Sequence, residues 1–200
     1  MASDNNEQVP VPAGAAAPQI LLTLPNLITL ARLFAVPGTV WLILQERLDL
    51  AFLLFAAAGI SDGLDGWLAR VRNARSQIGA LLDPLADKAL LVSVYVTLAA
   101  VGVLPDWLAI LVVFRDALIL GGLALLWLLG LRPRIKPLLV SKLNTALQIG
   151  LAGLALFAAG FAMPLGAMQW ALVWMVAGTT LASGAAYVVA GARQLQNPVP

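Results

Sequence analysis

Residues 61–91 read SDGLDGWLARVRNARSQIGALLDPLADKALL. Four aspartates, Asp62, Asp65, Asp83 and Asp87, fall in this one stretch of a chain that is 61% hydrophobic and only 11% charged. Soluble domains carry about 25% charged residues. With a mean hydropathy of +0.92, the balance points to an integral membrane protein. The apolar run before the stretch, Leu50 to Ile60, is too short to cross a bilayer, which takes about 20 residues of helix. The helix must therefore continue through Asp62 and Asp65. The next apolar segment begins near Gly79 and carries Asp83 and Asp87 in its first turns.

Working outward, six segments are long and apolar enough to span: about 27–45, 50–69, 79–103, 106–130, 139–162 and 165–192. They are separated by QERLD at 45–49, RVRNARSQ at 70–77, LPDW at 104–107, RPRIKP at 132–137 and a turn at Pro164. Before the first span, QILLTLPN is expected to form a short interfacial helix that stops near Pro25. The expected fold is thus an all-α integral membrane bundle of six transmembrane helices with a short N-terminal interfacial helix. One domain covers 21–193. A Pro/Ala-rich tail over 1–20 is expected to be disordered, and 194–200 forms a C-terminal tail.

Arg70, Arg72, Arg75, Arg132, Arg134, Lys136 and Arg193 all fall on one side of this topology. The positive-inside rule then places both termini and both basic loops in the cytoplasm. The first twenty residues hold no Lys or Arg, so they lack a signal-peptide n-region, and a bacterial-type inner membrane is the expected location. A net charge of +2 without a basic run argues against nucleic-acid binding. With no cysteine and no histidine, disulfides, Cys/His zinc sites and imidazole bases are excluded.

Asp62 and Asp65 are spaced i,i+3, and Asp83 and Asp87 i,i+4, so each pair shares a helix face. Four acids at the membrane edge repel one another unless cations neutralise them. Hard divalent ions suit oxygen ligands, here Mg²⁺ or Mn²⁺. Four carboxylates suit two such ions about 3.5–4 Å apart, a geometry used for phosphoryl displacement. Gly63, Gly66 and Gly79 allow close approach of a helix or ligand, and Arg70, one turn beyond Gly66, can meet a phosphate. The plainer alternative makes Asp62 and Asp65 solvated helix ends, with Asp83 and Lys88 a structural pair.

At these residues the chain resembles the CDP-alcohol phosphatidyltransferase family, whose signature is D-x2-D-G-x2-A-R-x8-G-x3-D-x3-D. Asp62, Asp65, Gly66, Ala69, Arg70, Gly79, Asp83 and Asp87 match it with every spacing kept. The resemblance implies a six-helix, usually homodimeric, membrane bundle in which two divalent ions hold the diphosphate of a CDP-linked lipid. It implies that Asp62, Asp65 and Asp83 are metal ligands. Asp87 would both bind metal and accept the proton of the attacking alcohol. Gly66, Ala69, Arg70, Ser76 and Gly79 would surround CDP-diacylglycerol. In the first-helix motif LPNLITLAR, Asn26 and Thr29 would line the nucleotide site and Arg32 would face phosphate.

Within the family, FRDALIL at 114–120 and RIKPLLVSKLNTALQ at 134–148 resemble the CMP-forming cardiolipin synthases of eukaryotic type. That implies phosphatidylglycerol as acceptor. Arg32, Arg134, Lys136, Lys142 and Asn144 are candidates to meet it, with Gln148 nearby. The basic residues at 132–136 equally serve topology and anionic headgroups. Arg115 and Asp116, adjacent on one helix, are expected to be structural and to pair with other helices. The six tryptophans read as interfacial anchors or packing. Three rivals stay open: a phosphatidylglycerophosphate synthase using glycerol-3-phosphate, a divalent-cation transporter and a non-catalytic lipid-binding scaffold.

Overall fold

The computed structural model describes residues 24–72, 77–129 and 139–196; for 24–30, 32, 62–72, 77–87 and 195 it gives the helical backbone but not the side chains. Six α-helices account for this: α1 (Leu24–Leu44), α2 (Leu48–Arg72), α3 (Gln77–Ala100), α4 (Asp106–Leu128), α5 (Leu139–Gly160) and α6 (Gly166–Gln196). Every expected span coincides with one of them to within a few residues. α4, α5 and α6 are long and apolar enough to cross a membrane, while α1, α2 and α3 carry shorter apolar stretches: Leu33–Leu44, Leu48–Ser61 and Lys88–Ala100. The expected separate helix ending near Pro25 is not seen among the described residues. α1 is described from Leu24 and runs through Pro25. The earlier part of that stretch, residues 19–23, lies outside the described residues.

The helices close into a ring in the order α1, α2, α5, α6, α4, α3, with α3 and α5 meeting across it. Val94, Tyr95 and Leu98 of α3 pack with Leu151, Ala152 and Ala155 of α5 at the centre. Large apolar side chains also point outward: Phe34 is 69% exposed, Ile110 68%, Trp127 75% and Leu139 82%. In lipid such an exterior costs nothing, and the bundle is held by close packing and internal polar contacts. Hence the many alanines at helix contacts, including Ala51, Ala58, Ala109 and Ala158.

The α1–α2, α3–α4 and α5–α6 turns lie at one end of the bundle. Their helices stop in the same way. Arg47 N–H donates to Leu42, Val103 N–H to Leu98 and Met163 N–H to Ala158, at 2.8–2.9 Å. Each bond spans a residue in the left-handed region: Glu46 at φ 58°, Gly102 at 75° and Ala162 at 54°. This is the Schellman closure, which satisfies carbonyls a helix end would otherwise leave unpaired. The turns are also cross-tied. Gln169 of α6 donates to the Val103 carbonyl at 3.0 Å. A Cβ on Gly160 would come within 2.5 Å of the Asp49 nitrogen, so only glycine lets α5 end against the start of α2. Trp107 of α4 stacks on Trp174 of α6 at 5.3 Å.

Candidate functional site

The far end of the bundle carries the signature. The helix bounds put Asp62, Asp65, Gly66, Ala69 and Arg70 on the last turns of α2, and Gly79, Asp83 and Asp87 on the first turns of α3. Asn26, Thr29 and Arg32 lie near the start of α1. The expected placement of the two acidic pairs on two successive helices therefore holds. The side chains of these residues, and Ser76, Arg134 and Lys136 altogether, lie outside the described residues. Among the described residues, no group of three or more acidic side chains gathers.

Just inward of the signature, the described side chains form a buried polar cluster. Its first member is Lys88, the residue after Asp87. The Lys88 ammonium donates to both carboxylate oxygens of Asp116, at 2.8 and 2.7 Å. Arg115 donates to the same carboxylate at 2.6 Å. The other arm of its guanidinium donates to Ser141 of α5 and Ser183 of α6, each at 2.6 Å. The Tyr187 ring lies 5.9 Å from the guanidinium carbon, close enough for a cation–π attraction. Arg115 is only 4% exposed and Asp116 6%. Charges so enclosed persist because each has an opposite partner and further hydrogen bonds.

Adjacent helix positions differ by about 100° and do not normally face each other, so Arg115 and Asp116 were expected to pair only with other helices. They do reach α3, α5 and α6, but they also bind each other. The long arginine stem wraps back to its neighbour, which the spacing rule does not capture. Lys88 pairs with Asp116; the Asp83 side chain, its partner in the plainer expectation, lies outside the described residues.

A second polar group follows along α5. Asn144 Oδ1 accepts from Thr180 at 2.8 Å and stands 2.9 Å from the Thr179 hydroxyl. The Gln148 side-chain amide donates to Thr180 at 3.5 Å, and the Gln148 backbone carbonyl accepts from the Tyr95 hydroxyl of α3 at 3.0 Å. Asn144, Gln148 and Thr180 are fully buried. Lys142 is exposed. Two positions apart on a helix is about 200° of rotation, so the candidate acceptor residues Lys142 and Asn144 lie on different sides of α5. Asn144 Nδ2, Gln148 Oε1 and Arg115 Nε have no partner among the described residues. Buried polar atoms are seldom left so unless water or a ligand meets them.

Below Gln148 and Tyr95 the core turns apolar, with Leu98, Leu108, Leu151, Leu156 and Val173 filling it. The polar column thus enters from the signature end and stops partway. Ser141, Thr180, Ser183 and Tyr95 were not singled out from the sequence. The signal available was TTLAS at 179–183, a polar interruption in an apolar helix.

Comparison with known proteins agrees with this picture. The family model for CDP-alcohol phosphatidyltransferase matches residues 22–182. A protein of Drosophila melanogaster named probable cardiolipin synthase (CMP-forming) is 36% identical over 152 residues, 68% of this chain and 47% of that one. The human cardiolipin synthase (CMP-forming) is 32% identical over 191 residues, 87% of this chain and 63% of its own. A chloroplastic CDP-diacylglycerol–glycerol-3-phosphate 3-phosphatidyltransferase of rice is 37% identical over 188 residues, 83% and 56% of the two chains. The chain spans about half the length of the curated relatives it matches.

Proposed function

The chain belongs to the CDP-alcohol phosphatidyltransferase family, and we propose that within it the protein acts as a CMP-forming cardiolipin synthase. It transfers a phosphatidyl group from CDP-diacylglycerol to the free hydroxyl of phosphatidylglycerol, releasing CMP. The complete signature, eight residues from Asp62 to Asp87 at their full spacing on α2 and α3, carries the phosphatidyl transfer, and the stretches at 114–120 and 134–148 carry the choice of acceptor.

The donor set suits divalent metal: four aspartates, in a chain with no cysteine or histidine to compete. Asp62, Asp65, Asp83 and Asp87 would hold two Mg²⁺ or Mn²⁺ ions, which when bound offset the negative charge of the diphosphate and of the departing CMP. Asp87 takes the proton of the attacking hydroxyl. The acceptor oxygen bonds to the phosphorus that carries diacylglycerol, and the bond from that phosphorus to CMP breaks. Arg70 stabilises charge on the phosphoryl oxygens. Gly66, Ala69 and Gly79 leave room for the diphosphate, with Ser76 beside it, and Asn26 and Thr29 line the nucleotide. Positioning supplies much of the rate, since an aspartate is a weak base toward an alcohol.

The acceptor's phosphodiester is met by Arg32, Arg134 and Lys136, with Asn144 Nδ2, which has no partner among the described residues, as an inner donor; Lys142, exposed on a different side of α5, would meet only a part of the acceptor outside the bundle. All six helices cross the membrane, with both termini and the site in the cytoplasm of a bacterial-type cell. Residues 21–193 form the catalytic unit between tails 1–20 and 194–200, and it works as a homodimer without nucleic acid. A transporter is disfavoured because the polar column ends at Gln148 and Tyr95 and does not cross the bundle.

The similarity to the rice protein keeps one second reading, in which glycerol-3-phosphate is the acceptor. Purified protein in lipid nanodiscs, given CDP-diacylglycerol with either acceptor, decides between them by CMP release. Cardiolipin with phosphatidylglycerol alone supports the first reading. Turnover with glycerol-3-phosphate and none with phosphatidylglycerol replaces it with the second.

A further inference from the structure

The Lys88–Asp116 pair sits where it bears on the acidic site. Lys88 follows Asp87 directly in the chain and on the same helix. Position 88 is rotated about 100° from position 87 and about 140° from position 83. A lysine has a four-carbon flexible stem and a point charge free to choose its partner. Beside four carboxylates, an unengaged ammonium would be drawn to them by ordinary Coulomb attraction. Lys88 is not unengaged. Both oxygens of Asp116 hold it, at 2.8 and 2.7 Å, although its side chain is 35% exposed and could reach elsewhere. Asp116 is itself fixed from behind by Arg115, which is tied to Ser141 and Ser183. The clamp therefore joins α3 to α4, and through Arg115 to α5 and α6.

We propose that Asp116 is a positioning residue that sequesters the Lys88 ammonium, so that Asp83 and Asp87 stay free for divalent metal. The inference rests on the reading of those aspartates as metal ligands. Without the Asp116 charge, Lys88 turns to the acidic site and competes there with the cation. Asp116→Asn is the informative change, because its side-chain oxygen still accepts from Arg115 while the charge that holds Lys88 is lost.

Three variants of the full chain in nanodiscs, Asp116→Asn, Lys88→Met and the double substitution, test this. Mn²⁺ binding is read from the electron paramagnetic resonance signal of the free ion, alongside the thermal midpoint and CMP release. Asp116→Asn weakens Mn²⁺ binding about tenfold. Lys88→Met alone changes it by less than about threefold, and the double variant recovers to within about threefold of wild type, because the competing cation is gone. A double variant that binds as weakly as Asp116→Asn overturns sequestration and leaves a purely structural clamp. Unchanged Mn²⁺ binding in Asp116→Asn overturns it too. If Asp116→Asn does not fold, the wild type decides. A solved structure with Mn²⁺ bound must keep Lys88 on Asp116, and an ammonium seated on Asp83 or Asp87 ends the proposal. Wild-type protein that binds no Mn²⁺ sinks the metal-ligand reading itself, a result distinct from either variant outcome.

Discussion

The two ends of the bundle are built on different chemistry. At the turn end, three helices stop at left-handed residues and the backbone closes on itself. At the signature end, a lysine, an aspartate and an arginine join four helices through side-chain charge and hydroxyls. Backbone closure is cheap and insensitive to what is bound. Buried charge is costly unless every partner is present. The difference teaches that charge and hydroxyl contacts gather at the end where the chemistry would occur, while the other end is closed by backbone turns and tied by Gln169, Gly160 and the Trp107–Trp174 contact.

The strongest way to break that contrast is Asp87→Asn. CMP release should fall about 10³-fold, with the thermal midpoint within a few degrees of wild type. Preserved turnover would remove the assigned base, and with it the functional half of the comparison. Next is Arg115→Met, which leaves Lys88 and Asp116 paired but strips Asp116 of a second cation and Ser141 and Ser183 of their donor. A loss of about 3 kcal/mol is expected in a denaturant titration. A loss near zero would show that the signature end does not depend on its charges.

At the opposite end, Gly160→Ala forces a methyl to within 2.5 Å of the Asp49 nitrogen and 2.7 Å of the Leu48 carbonyl carbon, both backbone atoms that cannot swing away. The expected cost is about 2 kcal/mol of stability, with CMP release per folded molecule unchanged. Activity loss beyond the loss of folded protein would mean that the two ends are coupled. The smallest effect is a gain: Ala162→Gly should stabilise by roughly 0.5–1 kcal/mol, because glycine adopts φ near 54° without the strain an alanine bears. Destabilisation there would show that the methyl group packs as well as strains.

Most of the fold was legible because hydropathy and interruptions report helices directly. The expected spans at 106–130 and 139–162 became Asp106–Leu128 and Leu139–Gly160. The stop expected near Pro25 is not where α1 breaks, since the described helix runs through that residue. The four aspartates stood out because acids in an apolar chain have few bland explanations. The clamp was harder to see. Whether Arg115 folds back onto Asp116 depends on its side-chain torsions, and spacing carries no information on those. Ser141 and Ser183 were invisible for a different reason: in an apolar helix a serine reads as a small residue until a guanidinium is found beside it. The opposite placement of Lys142 and Asn144 was available in principle, from their two-residue spacing alone.

The bond between Arg115 and Asp116 has a consequence for how the chain is made. Lys88 is synthesised before α4, but Ser141 and Ser183 come after it. When α4 leaves the insertion machinery, its arginine has neither hydroxyl to bind. A lone arginine at the centre of a membrane helix costs several kcal/mol. Because the neighbouring carboxylate lies within 2.6 Å on the same helix, α4 carries its own counter-ion into lipid, and the later helices dock onto a segment already neutralised.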